Sequence, residues 1–164
     1  MSSPTESRPS LARLVWTPVG LLVSWILLMW AIELVDTVAL DDRLQRHGLR
    51  PREGDGLDGI MWAPFLHTDF GHLASNTVPF LALGGLVAVR GMRYWAWITA
   101  ITIVIGGGAT WLLGGSGLHV GASGVVFGYF GAILGAAVFE RRVRTLGAAL
   151  IALGFYSSLI AGVI

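Results

Sequence analysis

Long apolar runs separated by short polar segments constrain this chain more than any other feature. An apolar helix of about 20 residues crosses a hydrocarbon core of roughly 30 Å, and several runs here reach that length. With only 13% charged residues and a mean hydropathy of +0.71, the chain cannot cover the surface of a soluble domain. We therefore predict a single all-α, multi-pass domain in the lipid bilayer. Its five predicted spans are Leu14 to Val35, Phe70 to Val89, Tyr94 to Leu113, Gly121 to Phe139 and Thr145 to Ile164.

Composition also excludes several classes of protein. A formal net charge of +1 disfavours a nucleic-acid partner. The absence of cysteine excludes disulfides, thiol catalysis and cysteine-ligated metals. Residues 1–13 are polar and are predicted to form a short disordered tail, which leaves residues 14–164 as the membrane domain. The apolar run after the tail is too long for a signal-peptide core, so we expect it to stay in the membrane.

The basic residues, all of them arginine, predict the orientation, because cytoplasmic segments are richer in basic residues. A cytoplasmic N-terminus puts more arginines inside than outside. We therefore predict a cell-membrane protein whose tail is cytoplasmic and whose fourth span begins near the outer face. The inside arginines are then Arg8, Arg13, Arg90, Arg93, Arg141, Arg142 and Arg144, and the outside ones are Arg43, Arg46, Arg50 and Arg52.

The fourth span carries a stripe of glycines. Small residues spaced three and four apart share one helix face and let two membrane helices approach closely. Ordinary helix packing explains such a stripe, although this many glycines on one face indicates a neighbour that comes very near. The glycines of the stripe are Gly121, Gly124, Gly128, Gly131 and Gly135.

A lone hydroxyl stands where this span begins, at Ser123 in the stretch GASGVVFG, with Phe127 one turn deeper. The free N–H groups and the dipole of a helix N-terminus can stabilise an oxyanion formed there. A serine that merely caps the helix is the commoner role for such a residue.

The second span opens with HTDFGHLASN, in which His72 and Asn76 share a helix face near the outer end. Polar side chains are costly in lipid and tend to be functional or paired. Both residues can donate hydrogen bonds of the kind that complete an oxyanion hole. The alternatives are hydrogen bonds that tie helices together or a metal site, and Asp69 is the only carboxylate near enough to help with the latter.

Taken together, these two motifs resemble the rhomboid family of intramembrane serine proteases. The resemblance rests on the spacing His67-x4-His72-x3-Asn76, followed by Gly-x-Ser-Gly at the head of a glycine-striped span. It covers residues 14–164. It implies a six-helix bundle around a water-filled cavity, of which five spans are present, and a protease that cuts transmembrane segments of other proteins. It implies no cofactor and no metal, and the sequence does not specify an oligomeric state.

The family's roles carry over to matching positions. The resemblance implies that Ser123 is the nucleophile and that His72 and Asn76 help its backbone N–H to hold the oxyanion. Gly121 and Gly124 match the glycines of the serine motif. Gly131 matches a position at which the sixth span packs closely. Phe127 stands where many members have tyrosine, a change that keeps the ring.

The larger departure from the family pattern concerns the general base. In the family this is a histidine of the sixth span, whereas the histidines here are His47, His67, His72 and His119, all before Ser123. The sequence ends inside an apolar run, SSLIAGVI, so we expect that the chain is truncated or naturally short. His119 is the one substitute base we consider. A catalytically inactive rhomboid-like protein that binds transmembrane clients is the rival function, and a channel or transporter subunit is a weaker one.

The predicted orientation can be tested with single cysteines, because the chain has none of its own. Ser3→Cys and Ser116→Cys should react oppositely with an impermeant thiol reagent in intact cells, with Ser116→Cys labelled and Ser3→Cys protected. The reverse pattern would invert the topology.

Overall fold

The computed structural model describes residues 17–161, and their side chains as far as residue 154. The predicted tail lies outside the described residues. Three short 3₁₀ turns, Leu44–His47, Gly54–Gly56 and Ala63–Phe65, interrupt the first long loop, and a π-helical turn, Thr102–Gly106, joins two helices into one span. The helices are α1 (Pro18–Ala39), α2 (Gly59–Trp62), α3 (Phe70–Ala88), α4 (Met92–Ile101), α5 (Gly107–Leu113), α6 (Ser123–Glu140) and α7 (Val143–Ala161).

The predicted all-α membrane architecture is confirmed. Among residues 17–161, four helices are long and apolar enough to cross a bilayer: α1, α3, the continuous helix Met92–Leu113, and α6. The last helix, α7, has 19 residues and begins with the apolar stretch Val143–Gly154, in the position predicted for the fifth span. Consecutive spans run antiparallel, so α3 and α6 begin at the same end of the bundle.

The first span ends later than the sequence predicts. We expected it to end near Glu33 and Asp36, but α1 continues to Ala39. Both carboxylates are 2% exposed, because they face the protein rather than the lipid. Asp36 accepts a hydrogen bond from the backbone N–H of Leu44 at 2.9 Å, which also fixes the start of the loop. An acidic residue that faces the protein interior can therefore lie within a membrane span and does not mark its end.

The core lies where α3 packs between α1 and α6, and α6 also contacts α7 and the π-helical turn. Tyr129 of α6 is fully buried beside Phe80 of α3, with ring centroids 5.7 Å apart. Its hydroxyl lies 2.7 Å from the hydroxyl of Thr99, so the buried polar atom is satisfied. Because lipid is as apolar as the side chains, close packing and such hydrogen bonds hold the helices together.

Polar contacts close the opposite end of the bundle, away from the start of α6. Arg90, after α3, forms an ion pair with Glu140 at the end of α6. The same guanidinium lies 4.7 Å from the centre of the Tyr94 ring. These contacts hold the ends of α3 and α6 together at the arginine-rich side.

The long loop between α1 and α3 is fastened to the end at which α6 begins. Leu49 and His119 exchange backbone hydrogen bonds of 2.8 and 2.9 Å. The guanidinium of Arg52 donates to the carbonyl of Gly114 at 2.8 Å, and the indole of Trp111 donates to the carbonyl of Glu53 at 2.9 Å. The loop is therefore a fixed part of the structure around the start of α6.

The glycine stripe of α6 divides into tight and open positions. A Cβ on Gly128 would collide with the whole side chain of Thr102, including its Cβ, in the π-helical turn. Among the described residues, nothing lies within 4 Å of a Cβ placed on Gly124, Gly131 or Gly135. Close packing within residues 17–161 therefore explains Gly128 but not those three.

This division predicts opposite effects for two alanine substitutions in the same helix. Gly128→Ala should destabilise the protein by about 1–3 kcal/mol, the usual cost of overpacking. Gly135→Ala in the same 164-residue chain is the matched control, and it should leave stability unchanged or raise it, because alanine favours a helix over glycine by roughly 1 kcal/mol. Thermal unfolding in detergent measures both; equal midpoints would contradict the tight packing at Gly128.

Candidate active site

The start of α6 has an unusual backbone. Gly121 has φ of +108°, a conformation that side chains rarely tolerate. Ala122 is the N-cap residue and Ser123 is the first helical residue. The capping role considered for Ser123 is therefore wrong, because no side chain caps this helix. The backbone N–H of Gly121 donates to the carbonyl of Ala63 at 2.8 Å, which holds the turn against the long loop.

The two polar residues of α3 converge on this turn. A Cβ built on Gly121 would lie 2.8 Å from Nε2 of His72 and 3.5 Å from Nδ2 of Asn76. Those two nitrogens therefore border the space that glycine leaves open. That space lies two residues before Ser123, at the N-terminus of α6. The structure thus brings His72 and Asn76 of α3 beside a turn that is distant from them in the sequence.

Local hydrogen bonds fix His72 and Asn76 within the first turns of α3. Asp69 caps this helix, and its Oδ1 accepts the backbone N–H of His72 at 2.8 Å. The side-chain amide of Asn76 donates one hydrogen to the carbonyl of His72 at 2.9 Å, which leaves a second hydrogen on the same nitrogen. Both contacts stay within α3 and its cap, so they do not tie one helix to another.

Ser123 opens onto a cavity of about 350 Å³. The walls come from the start of α6, the π-helical turn and the long loop. Ser123 is exposed, and its hydroxyl has no hydrogen-bond partner among the side chains described, residues 17–154. Phe127, one turn deeper, also lines the cavity and is 52% exposed. A substrate backbone could reach this hydroxyl from the cavity.

The histidines other than His72 differ in how they relate to Ser123. His119 lines the same cavity, but its Nε2 lies 3.1 Å from the carbonyl of Gly115 and must donate to it. That nitrogen cannot accept a proton at the same time, and the other ring nitrogen makes no hydrogen bond to Ser123 among the described residues. His47 lies 3.5 Å from Asp58, at a different cavity between α1 and the loop. Neither arrangement presents an obvious general base to Ser123.

His67 belongs to the sequence motif, but no role was predicted for it. The structure shows what this side chain contacts. Its ring is 1% exposed and lies 5.2 Å from the ring of His72, nearly perpendicular to it. Burial, followed by the charge of His72, lowers the pKa of His67 to about 4. Neither ring nitrogen has a hydrogen-bond partner of normal geometry. His67 is therefore a neutral ring that packs behind His72, which the histidine spacing alone does not reveal.

Within the described part of the chain, no group of three or more histidine, cysteine, aspartate or glutamate side chains could hold a metal ion.

The fold and this geometry define a class: a polytopic helical membrane protein with a serine at the start of a span, and with histidine and asparagine side chains beside the turn that precedes it. Comparison with known proteins gives the family. The sequence profile of the Rhomboid domain matches residues 57–164, so the chain belongs to the rhomboid family.

The relatives are mycobacterial. An uncharacterized protein of Mycobacterium tuberculosis is 35% identical over 147 residues, which cover 86% of this chain and 61% of that protein. An uncharacterized protein of Mycobacterium leprae is 37% identical over 137 residues, which cover 79% of this chain and 54% of that protein. The chain thus spans little more than half the length of these relatives. No solved structure matches at a significant level.

Burial of His67 predicts a pH-dependent stability. Its pKa is about 4 in the folded protein and near 6.5 in the unfolded chain, so between these values only the unfolded chain takes up the proton. Stability should therefore be full above about pH 6.5 and should fall as the pH is lowered toward 4. Thermal midpoints in detergent across this range measure the effect.

His67→Phe, which keeps a ring without a titrating group, should flatten this dependence. His47→Gln is the matched control, because the His47 side chain is 61% exposed, and it should leave the slope as it is. An unchanged slope in His67→Phe would contradict the assignment.

Proposed function

We propose that this protein is an intramembrane serine endopeptidase that cleaves transmembrane segments of other membrane proteins. The observation that carries the proposal is the space at Gly121, which His72 Nε2 and Asn76 Nδ2 border beside Ser123. Membership of the rhomboid family supports the same chemistry. The reaction needs no cofactor.

In this mechanism Ser123 Oγ attacks the carbonyl carbon of a substrate peptide bond. The Oγ–C bond forms, the hydroxyl proton passes to a general base, and the carbonyl oxygen becomes an oxyanion. The second amide hydrogen of Asn76, the ring of His72 and the backbone N–H of Ser123 stabilise that oxyanion. The amine then leaves with a proton from the base, and water hydrolyses the acyl-enzyme.

The general base is proposed from the family resemblance, as a histidine on a sixth span. The open face of α6 supports this, because Gly124, Gly131 and Gly135 have nothing near them among the described residues. Small residues at such spacing let a neighbouring helix approach closely. Gly131 is then the point at which the sixth span packs against α6.

We further propose that the active site lies near the outer face of the cell membrane and that the N-terminus is cytoplasmic. Arg90, Arg93, Arg141, Arg142 and Arg144 all flank the end of the bundle opposite Ser123. Basic residues favour the cytoplasmic side. Water would then enter the cavity from outside.

One observation favours a second function, that of a rhomboid-like protein that binds transmembrane clients without cutting them. Among the side chains that the structure describes, residues 17–154, none accepts a hydrogen bond from Ser123. A serine without a base loses most of its nucleophilic power. Catalysis and binding therefore have to be separated by experiment.

The experiment compares variants of the full-length gene product with a model transmembrane substrate in proteoliposomes. Ser123→Ala should abolish cleavage while substrate still co-purifies. Asn76→Ala should lower turnover by about 10²- to 10³-fold, the usual effect of removing one oxyanion donor. The thermal midpoint of each variant is measured in parallel.

Ser75→Ala is the matched control for Asn76→Ala. Ser75 also donates to the carbonyl of His72, at 2.7 Å, but it is exposed on a different side of α3. This variant should cut at nearly the wild-type rate. If Asn76→Ala instead lowers only the thermal midpoint and its folded fraction cuts normally, the oxyanion role is wrong and the binding function gains support.

A further inference from the structure

A chain of hydrogen bonds runs from a carboxylate to the side of His72 that faces away from Gly121. The hydroxyl of Thr68 lies 3.0 Å from Oδ2 of Asp69 and 3.1 Å from Nδ1 of His72. The other oxygen of Asp69 caps α3 by accepting the backbone N–H of His72 at 2.8 Å. Nε2 of the same ring borders the space at Gly121. The ring therefore connects this chain to the candidate oxyanion site.

The chemistry of the groups determines the direction of each hydrogen bond. The hydrogen bond from the His72 amide lowers the pKa of Asp69, so its carboxylate is ionised and can only accept. The single hydroxyl hydrogen of Thr68 goes to that carboxylate, since bonds to a charged acceptor are the stronger ones. The oxygen of Thr68 is then left as an acceptor, and Nδ1 of His72 has to donate to it.

We propose that Asp69 and Thr68 are positioning residues that hold His72 in the Nδ1–H tautomer. Whenever the ring is neutral, Nε2 then presents a lone pair, not a hydrogen, to the space at Gly121. Which ring nitrogen carries the proton is set by the hydrogen bond that the other nitrogen makes.

The surroundings of His72 offer no competing partner. On the α6 side the ring meets Gly121, which has no side chain. Behind it lies His67, which is buried and whose nitrogens make no hydrogen bond of normal geometry. Asp69 is the only carboxylate joined to the ring by hydrogen bonds among the described residues. Thr68 and Asp69 therefore determine the tautomer by themselves.

The consequence for catalysis rests on the proposed protease function. In that reaction the tautomer determines whether Nε2 of His72 can donate a hydrogen bond. A neutral ring cannot donate to an oxyanion from Nε2, so His72 acts as a donor only after it takes up a second proton from solvent. The amide of Asn76 keeps a hydrogen for the oxyanion whichever tautomer His72 adopts.

Nitrogen NMR of histidine-labelled protein in detergent tests the proposal without any cleavage. Couplings between ring nitrogens and ring carbon-bound hydrogens distinguish the Nδ1–H from the Nε2–H tautomer. The pH is raised until the ring of His72 is neutral, and its signals are assigned by their loss in His72→Gln. The wild-type protein should show the Nδ1–H tautomer, and an Nε2–H pattern or an even mixture would overturn the proposal.

The decisive variant is Asp69→Asn. It should reverse the direction of the hydrogen bonds that link residue 69, Thr68 and His72, while it keeps the N-cap of α3. Asparagine is as good an N-cap as aspartate, and its Oδ1 can still accept the amide of His72. Its NH₂ group replaces Oδ2 and donates to Thr68, so the Thr68 hydroxyl has to donate to Nδ1 of His72. The ring should therefore switch to the Nε2–H tautomer, and an unchanged Nδ1–H tautomer would also overturn the proposal.

Two variants of Thr68 control for a structural effect. Thr68→Ser keeps the hydroxyl and should keep the Nδ1–H tautomer, whereas Thr68→Val has a similar shape without the hydroxyl and should lose it. If both variants show the same tautomer of His72, Thr68 does not transmit the effect of Asp69 to the ring. Because these readouts do not depend on cleavage, they can fail while the protease function stands, and the cleavage experiment can fail while they succeed.

Discussion

The candidate site depends on the bare backbone of Gly121. Three conditions meet at this residue: φ is +108°, the N–H is bound to the carbonyl of Ala63 at 2.8 Å, and a Cβ would lie 2.8 Å from Nε2 of His72. A side chain would strain the backbone, which typically costs about 1–3 kcal/mol, and would also push α3 away from α6. The absence of one carbon atom therefore lets the imidazole and the amide of α3 approach the turn that leads into Ser123.

The membrane explains why so many polar contacts surround that space. Backbone groups at the depth of a bilayer have to be satisfied by the protein itself. The start of α3 is satisfied by Asp69, and the chain before α6 is satisfied by Leu49 and Ala63 of the long loop. The loop thus supplies hydrogen bonds that neighbouring helices cannot. The same loop also forms part of the wall of the cavity onto which Ser123 opens.

The sequence predicts much of this arrangement because apolar length and polar spacing are local signals. The spans, and the sharing of one end by Ser123, His72 and Asn76, follow from periodicity and the antiparallel order of the helices. The end of α1 was predicted wrongly, because hydropathy cannot tell an acid that faces protein from one that faces water. The capping role of Ser123 was also wrong, because a cap depends on the backbone of the preceding residue, and the positive φ of Gly121 moves the helix start by one position.

Other features need three-dimensional contacts that no pattern contains. The glycines of α6 look equivalent in the sequence, yet only Gly121 and Gly128 have close neighbours in other described segments. Likewise, Thr68 is an ordinary threonine until its hydroxyl is seen between Asp69 and His72. Contacts of this kind depend on the relative rotation of whole helices, which the sequence encodes only through all of their packing together.

The buried acids of α1 have a consequence for how the protein enters the membrane. Insertion of an acidic side chain at the centre of a lone helix costs about 2.5–3.5 kcal/mol, and less toward its ends. Glu33 and Asp36 are shielded from lipid only after other parts of the chain have packed against them, and Asp36 also needs the amide of Leu44. When the first helix leaves the translocation machinery, the neighbouring segments do not yet shield its two carboxylates from lipid. The packing of its neighbours therefore adds to the stability of this helix in the bilayer, because it removes both carboxylates from contact with lipid.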